Sequence, residues 1–199
     1  MPELTAEQID IRAAEIIDAE SDLRANGRDG QTFASLSLDE AKARLSSSAD
    51  PFFGGFGWSL SAPPGGVIIG RVSVNFPQPE AIPAESNIYV HVWIGSGNVD
   101  PDIGSFLMNV DPRFPRLAEP KVPGLRPGIS QVPEIPVFGD RSLLAFELQV
   151  PFNIEPSVYL GNMCLMRRSS FSVGEVLGRA SFAFRVRGVD EPPDVNPSI

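Results

Sequence analysis

The chain of 199 residues holds one cysteine and one histidine. A lone Cys164 excludes an internal disulfide and any cysteine-rich metal cluster. A lone His91 excludes metal sites built on paired histidines and leaves a histidine-based triad with one candidate. Lysine is almost absent, Lys42 and Lys121 being the only two among 16 basic residues. Against them stand 25 acidic residues, a formal net charge of −9. Nucleic acid is therefore not an expected partner, because a phosphate backbone is held by clustered basic side chains. Long apolar runs are missing too. Val67-Ile68-Ile69 is among the longest, whereas a bilayer span needs about 20 such residues. The start, Met1 to Glu7, is acidic and polar instead of basic and then apolar, and no lipidation signal is visible. The expectation is a protein without a membrane span, cytoplasmic or exported without a recognisable signal.

What is present divides near Asp50. Residues 1–50 carry 11 acidic and 5 basic residues, one proline and two glycines; the other 19 prolines and 16 glycines follow. The first part permits helices, and the second is punctuated like an all-β domain. Thr5-Ala6-Glu7-Gln8 is a capping-box pattern and predicts a helix to about Ala25, stopped by Asn26-Gly27. Ile9, Ala13, Ile16, Ile17 and Leu23 make its apolar stripe. Ser37-Leu38-Asp39-Glu40 predicts a second, shorter helix ending near Leu45. Between these and the β region, residues 51–57 (Phe52, Phe53, Gly54, Gly55, Phe56) read as an aromatic hinge.

From Trp58 the apolar period becomes two, the mark of half-buried strands. Val72, Val74 and Phe76 alternate with Ser73 and Asn75. Ile88, Val90, Val92 and Ile94 alternate with Tyr89, His91 and Trp93. Phe106 and Met108, then Leu144, Phe146 and Leu148, continue the pattern. Cys164 falls in an alternation with Val158, Leu160 and Met166 that Asn162 interrupts, and reads as an inert core thiol. Phe182, Phe184 and Val186 alternate with Arg179, Ser181, Arg185 and Arg187. Residues 111–139 hold seven prolines and fit neither period, with edge strands expected around 116–122 and 132–137. The predicted fold is mainly β: an antiparallel immunoglobulin-like sandwich over 58–188, a helical segment over 1–50 and a proline-rich tail over 189–199. A barrel is the rival architecture.

Three features in order resemble bacterial immunoglobulin-type modules of the CARDB kind. The strand Ile88–Ile94 runs into the turn Gly95-Ser96-Gly97-Asn98. Leu125-Arg126-Pro127-Gly128 is similar to the turn that precedes a strand in those modules. Leu144–Val150 is followed by Pro151 and then Pro156-Ser157-Val158-Tyr159, where the family has a Pro and a Gly-x-Tyr strand entry. The resemblance covers about residues 66–188 and implies the sandwich fold. Ser157 in place of Gly, the long proline-rich middle and the N-terminal helices depart from it.

Chemistry is sparse. Ser46-Ser47-Ser48 lacks a nucleophile elbow, and Gly54-Gly55-Phe56-Gly57 lacks the lysine of a phosphate loop. Asn98, Asp100 and Asp102 place side-chain oxygens at alternate positions, as a calcium loop does, but no Glu stands at the twelfth position, which is Asn109. Calcium is thus the one cofactor the sequence offers, against a default of none. Arg167, Arg168, Arg179 and Arg185 could form a local basic patch, but read as a solvated face or as intersubunit salt-bridge partners of the acidic N-terminal segment. Tyr89, His91 and Trp93 leave two readings: an open aromatic row that stacks on a sugar ring, or a row covered by the N-terminal helix, which needs a surface. With no catalytic constellation, the expected role is non-enzymatic: a structural or protein-interaction subunit. It would self-assemble or dock through the helix (Ile9, Ile16, Leu23) and the hinge aromatics (Phe52, Phe53, Phe56). A carbohydrate-binding module using Tyr89, His91 and Trp93 is the alternative.

Overall fold

The computed structural model describes residues 4–25, 31–94, 104–109, 118–119, 141–169 and 174–192. In chain order these form α1 (Ala6–Ala25), β1 (Gln31–Ala34), α2 (Leu38–Ser47), β2 (Phe52–Ser59), β3 (Ser61–Ala62) and β4 (Val67–Asn75), then, after a short 3-10 turn, β5 (Ser86–Ile94), β6 (Gly104–Asn109), β7 (Ala118–Glu119), β8 (Arg141–Gln149), β9 (Ser157–Ser169) and β10 (Glu175–Val186). The chain is mainly β. Sheet A has the order β1-β2-β4-β8 and is antiparallel throughout. Sheet B has the order β3-β10-β9-β5-β6-β7, antiparallel except where β3 runs parallel to β10, and it curls into a half-barrel. Ile68, Val72 and Val74 of sheet A and Val90, Val92, Leu165 and Phe184 of sheet B belong to one buried cluster.

Both helices begin at the expected caps. The Thr5 N–H donates to Gln8 Oε1 at 2.8 Å, and the Gln8 N–H donates to Thr5 Oγ1 at 3.2 Å. At α2, Glu40 Oε2 accepts from the backbone N–H and the hydroxyl of Ser37, each at 2.8 Å. These bonds, the backbone one first and then the hydroxyl, hold the Glu40 carboxyl below its ordinary range, with help from Arg44. A depressed carboxylate pKa stabilises the fold above the ordinary range and loses that contribution as pH falls through the depressed value. The melting temperature of Glu40→Ala should therefore trail the wild type most near neutrality, and the gap should close in acid.

Three expectations change. Residues 52–57 are no hinge: they lie in β2, and β1 adds a further strand from within the supposed helical segment. A bulge between Phe53 and Phe56 lets both pack against the main core although they stand an odd number of positions apart. The glycines there make room for α1. A Cβ on Gly54 would lie 2.5 Å from Ser73 Oγ and 2.6 Å from Glu20 Oε1. Finally, β9 has the opposite phase from that read in its apolar residues. Met163 and Leu165 enter the core, whereas Val158 and Leu160 are 66% and 48% exposed.

Of the edge strands expected in the proline-rich stretch, β7 falls within the first, at residues 118–119; the second lies outside the described residues.

Candidate functional site

The outer face of sheet B is built by register. Along β5 the side chains of Ile88, Val90, Val92 and Ile94 are buried, while Tyr89, His91 and Trp93 are partly exposed on the other side. Residues directly opposite in a ladder share a face, with neighbouring strands about 4.8 Å apart. Trp93 is opposite Asn162, which is opposite Ser181; His91 is opposite Cys164, which is opposite Arg179; Tyr89 is opposite Met166. The row expected from one strand thus lies within a wider face, flanked by β9 and β10 on one side and by β6 on the other, where Tyr89, His91 and Trp93 are opposite Asn109, Leu107 and Ser105.

Its geometry combines an aromatic row on β5 with a polar row beside it on β9 and β10. The His91 and Trp93 rings lie 5.1 Å apart at 38°. Beside them the Ser181 hydroxyl donates to Asn162 Oδ1 at 3.0 Å. Among the described residues the amide nitrogen of Asn162 has no hydrogen-bond acceptor of its own. Arg179 is exposed and supplies a cation at the far side. Beyond Asn162 and Ser181 the face turns apolar at Leu160 and Ala183.

Cys164 lies on this face and not in the core interior, yet it is only 5% exposed. Burial pushes the thiol pKa up, and Arg179 offsets part of that rise. A protonated, enclosed thiol is a poor nucleophile, so the inert reading suits it although its predicted side of the sheet does not.

The remaining candidates sit elsewhere. The helices do not need the aromatic row as a surface: α1 packs on α2 and on β2 of the other sheet. Ala13 and Ile16 are buried with Phe52, Ala41 and Leu45, and Ile9 packs against the same cluster. Arg12 Nη2 fastens α1 to the end of β4 by donating to the Phe76 carbonyl at 3.2 Å. Of Leu23 only the helical backbone is described. Phe53 and Phe56 pack against the main core. Much of the apolar area that self-assembly would draw upon is thus covered within the chain. Asn98, Asp100 and Asp102 lie outside the described residues. Arg167 joins the acidic N-terminal segment within one chain: Nη1 meets Asp50 Oδ1 at 2.9 Å and Nη2 meets Glu175 Oε2 at 2.7 Å.

Asn162, Ser181 and Arg179 join the aromatic row only through cross-strand register. The one signal in the sequence was Asn162 itself, a polar residue interrupting an apolar alternation.

No protein-family model matches the chain, and no curated protein matches it in sequence. Among solved structures, a family 123 glycoside hydrolase from Clostridium perfringens, described for glycolipid glycan hydrolysis, is 11% identical with a TM-score of 0.29, covering 83% of this chain and 28% of that enzyme. The chain therefore spans less than a third of that enzyme's length. AvmM, which catalyses macrocyclization in alchivemycin A biosynthesis, is 12% identical with a TM-score of 0.32, covering 85% of this chain and 92% of AvmM. Likenesses at TM-scores near 0.3 extend neither fold nor function to this chain.

Proposed function

We propose that the protein is a non-enzymatic ligand-binding β domain whose sheet B takes a carbohydrate on its outer face. The observation that carries this reading is the tilted His91–Trp93 ring pair bordering Asn162 and Ser181. Sugars present an apolar ring face ringed by hydroxyls. Aromatic side chains suit the face, and amide, hydroxyl and guanidinium groups suit the hydroxyls.

For the architecture we infer a variable-type immunoglobulin-like sandwich. Strands β10-β9-β5-β6-β7 stand in the order G-F-C-C′-C″, and β2-β4-β8 in the order A-B-E. Tyr159, near the start of β9, donates its hydroxyl to the Glu155 carbonyl at 2.9 Å, in the manner of a tyrosine corner. Two residues later, where antibody domains have a cysteine, Gly161 lies beneath the Phe182 ring.

Tryptophan emission tests the binding site. A Trp58→Phe variant keeps Trp93 as its only tryptophan, and a panel of neutral and acidic oligosaccharides should include one that quenches it saturably. In calorimetry with that sugar, Trp93→Ala should weaken binding about tenfold, the equivalent of ~1.4 kcal/mol. Silence from the whole panel, or unchanged affinity in Trp93→Ala, would rule the reading out.

A protein-interaction role has one observation in its favour, the exposed Val158 and Leu160 on the same face. In that reading the solution mass by light scattering rises with concentration, and Leu160→Asp abolishes the rise.

A further inference from the structure

Strand β10 has an edge that is only partly used. One side pairs with β9 over its length, whereas among the described residues the other pairs with β3 only at Arg185 and Val186. Parity identifies the groups on that second side. The Ala183 carbonyl accepts from Trp58 Nε1 at 2.9 Å, and the Arg185 N–H donates to the Leu60 carbonyl at 2.9 Å. Odd-numbered residues therefore turn their peptide groups away from β9. Arg179 and Ser181 continue this alternation beyond the irregularity between Val176 and Gly178. Their N–H and C=O groups have no backbone partner among the described residues.

Alongside lies a cleft of about 190 Å³, lined by Leu36, Phe53, Phe56, Leu177 and Ala180, with the exposed Arg44 on its wall. Small-molecule pockets commonly exceed about 300 Å³, so this volume suits a single apolar side chain. Arg44 stands one helical turn from Glu40, yet it forms no ion pair among the described residues. In a chain of net charge −9, an arginine beside an unpaired strand edge marks a local preference for acid.

We propose that the β10 edge from Arg179 to Ser181 is a docking site for an extended acidic peptide. The peptide adds to sheet B as a strand, seats one apolar side chain in the cleft and sets a carboxylate against Arg44. Backbone hydrogen bonds give strand addition its affinity, and the cleft gives it specificity. This surface is the rim of the sheet: Arg179 and Ser181 offer it their backbone while their side chains face the Trp93 row. The cleft and Arg44 belong to the rim alone, so Arg44→Glu tests the peptide site without altering the sugar face.

Hydrogen exchange on the full-length protein tests it, with a capped heptapeptide of alternating threonines, a central phenylalanine and two aspartates as probe. In the free protein the amides of Arg179 and Ser181 should exchange fast, and those of Ala180 and Phe182 slowly. Saturating peptide should slow the first pair by about tenfold or more, as an added ladder satisfies them. Arg44→Glu should weaken the peptide by about tenfold, the size of a lost charge-assisted contact. Ser181→Pro, which removes one outward N–H, should abolish binding while Ala180 and Phe182 stay protected. The proposal is overturned if Arg179 and Ser181 are already protected without peptide. It is equally overturned if peptide leaves their exchange unchanged or if Arg44→Glu binds like the wild type.

Discussion

Gly161→Val should destabilise the protein by about 3 kcal/mol, the upper end of common overpacking costs. A Cβ on Gly161 would lie 2.0 Å from Phe182 Cζ and 2.4 Å from Cε1 and Cε2. The ring has little room to retreat. Its centroid is 5.6 Å from that of Trp58 and 6.3 Å from that of Phe184, and Phe182 is buried. Phe182→Ala alone should cost about 3–5 kcal/mol through the cavity it leaves. The informative variant is the double one, in which valine refills part of that cavity. Its total cost in urea denaturation should fall short of the sum of the single costs by more than about 0.5 kcal/mol, the scatter expected of independent sites. Simple addition would mean that Gly161 and Phe182 do not share the space described. Against a usual total stability of about 5–15 kcal/mol, each single change is large.

Gly54→Val should act at the other sheet and in a different manner. Its first added carbon would meet Ser73 Oγ at 2.5 Å and Asn75 Nδ2 and Glu20 Oε1 at 2.6 Å. Ser73, Asn75 and Glu20 are all buried, and Ser73 is bonded to Gly55 through both its hydroxyl and its oxygen lone pairs. Glu20 belongs to α1 and accepts from the Leu36 N–H at 3.1 Å, so the layer above Gly54 includes the link between α1 and the approach to α2. The expected cost is about 3 kcal/mol, and it should appear first as loosened helices. Amides of α1 and α2 should lose exchange protection while those of β9 and β10 keep theirs. Uniform loss across both sheets would show that the helices unfold only with the whole domain.

These two glycines also show why some of the fold was legible in sequence and some was not. Strands β5 and β10 could be read because one face of each is apolar and the other is not. Val90 and Val92 against His91, or Phe182 and Phe184 against Arg185, leave one choice of phase. Strand β9 offers apolar residues on both faces, and its phase is set by the fit of Phe182 over Gly161, a contact between strands. In β2, Gly54 and Gly55 weaken strand propensity and resemble a hinge. Their purpose emerges only with the polar side chains that α1 and β4 bring onto them. The candidate site divides the same way. Tyr89, His91 and Trp93 lie within one strand and show their common side by spacing. Asn162, Ser181 and Arg179 join them through cross-strand register, which a single strand's spacing does not carry.

The most direct test of the proposed binding face uses the two tryptophans. Each indole N–H gives one resonance in a nitrogen-15 spectrum. That of Trp58 is held by the Ala183 carbonyl, away from the outer face, whereas that of Trp93 belongs to it. Titration with the oligosaccharide that quenches emission should move the Trp93 resonance and leave that of Trp58 in place. Movement of Trp58 alone, or of neither, would contradict carbohydrate binding on this face.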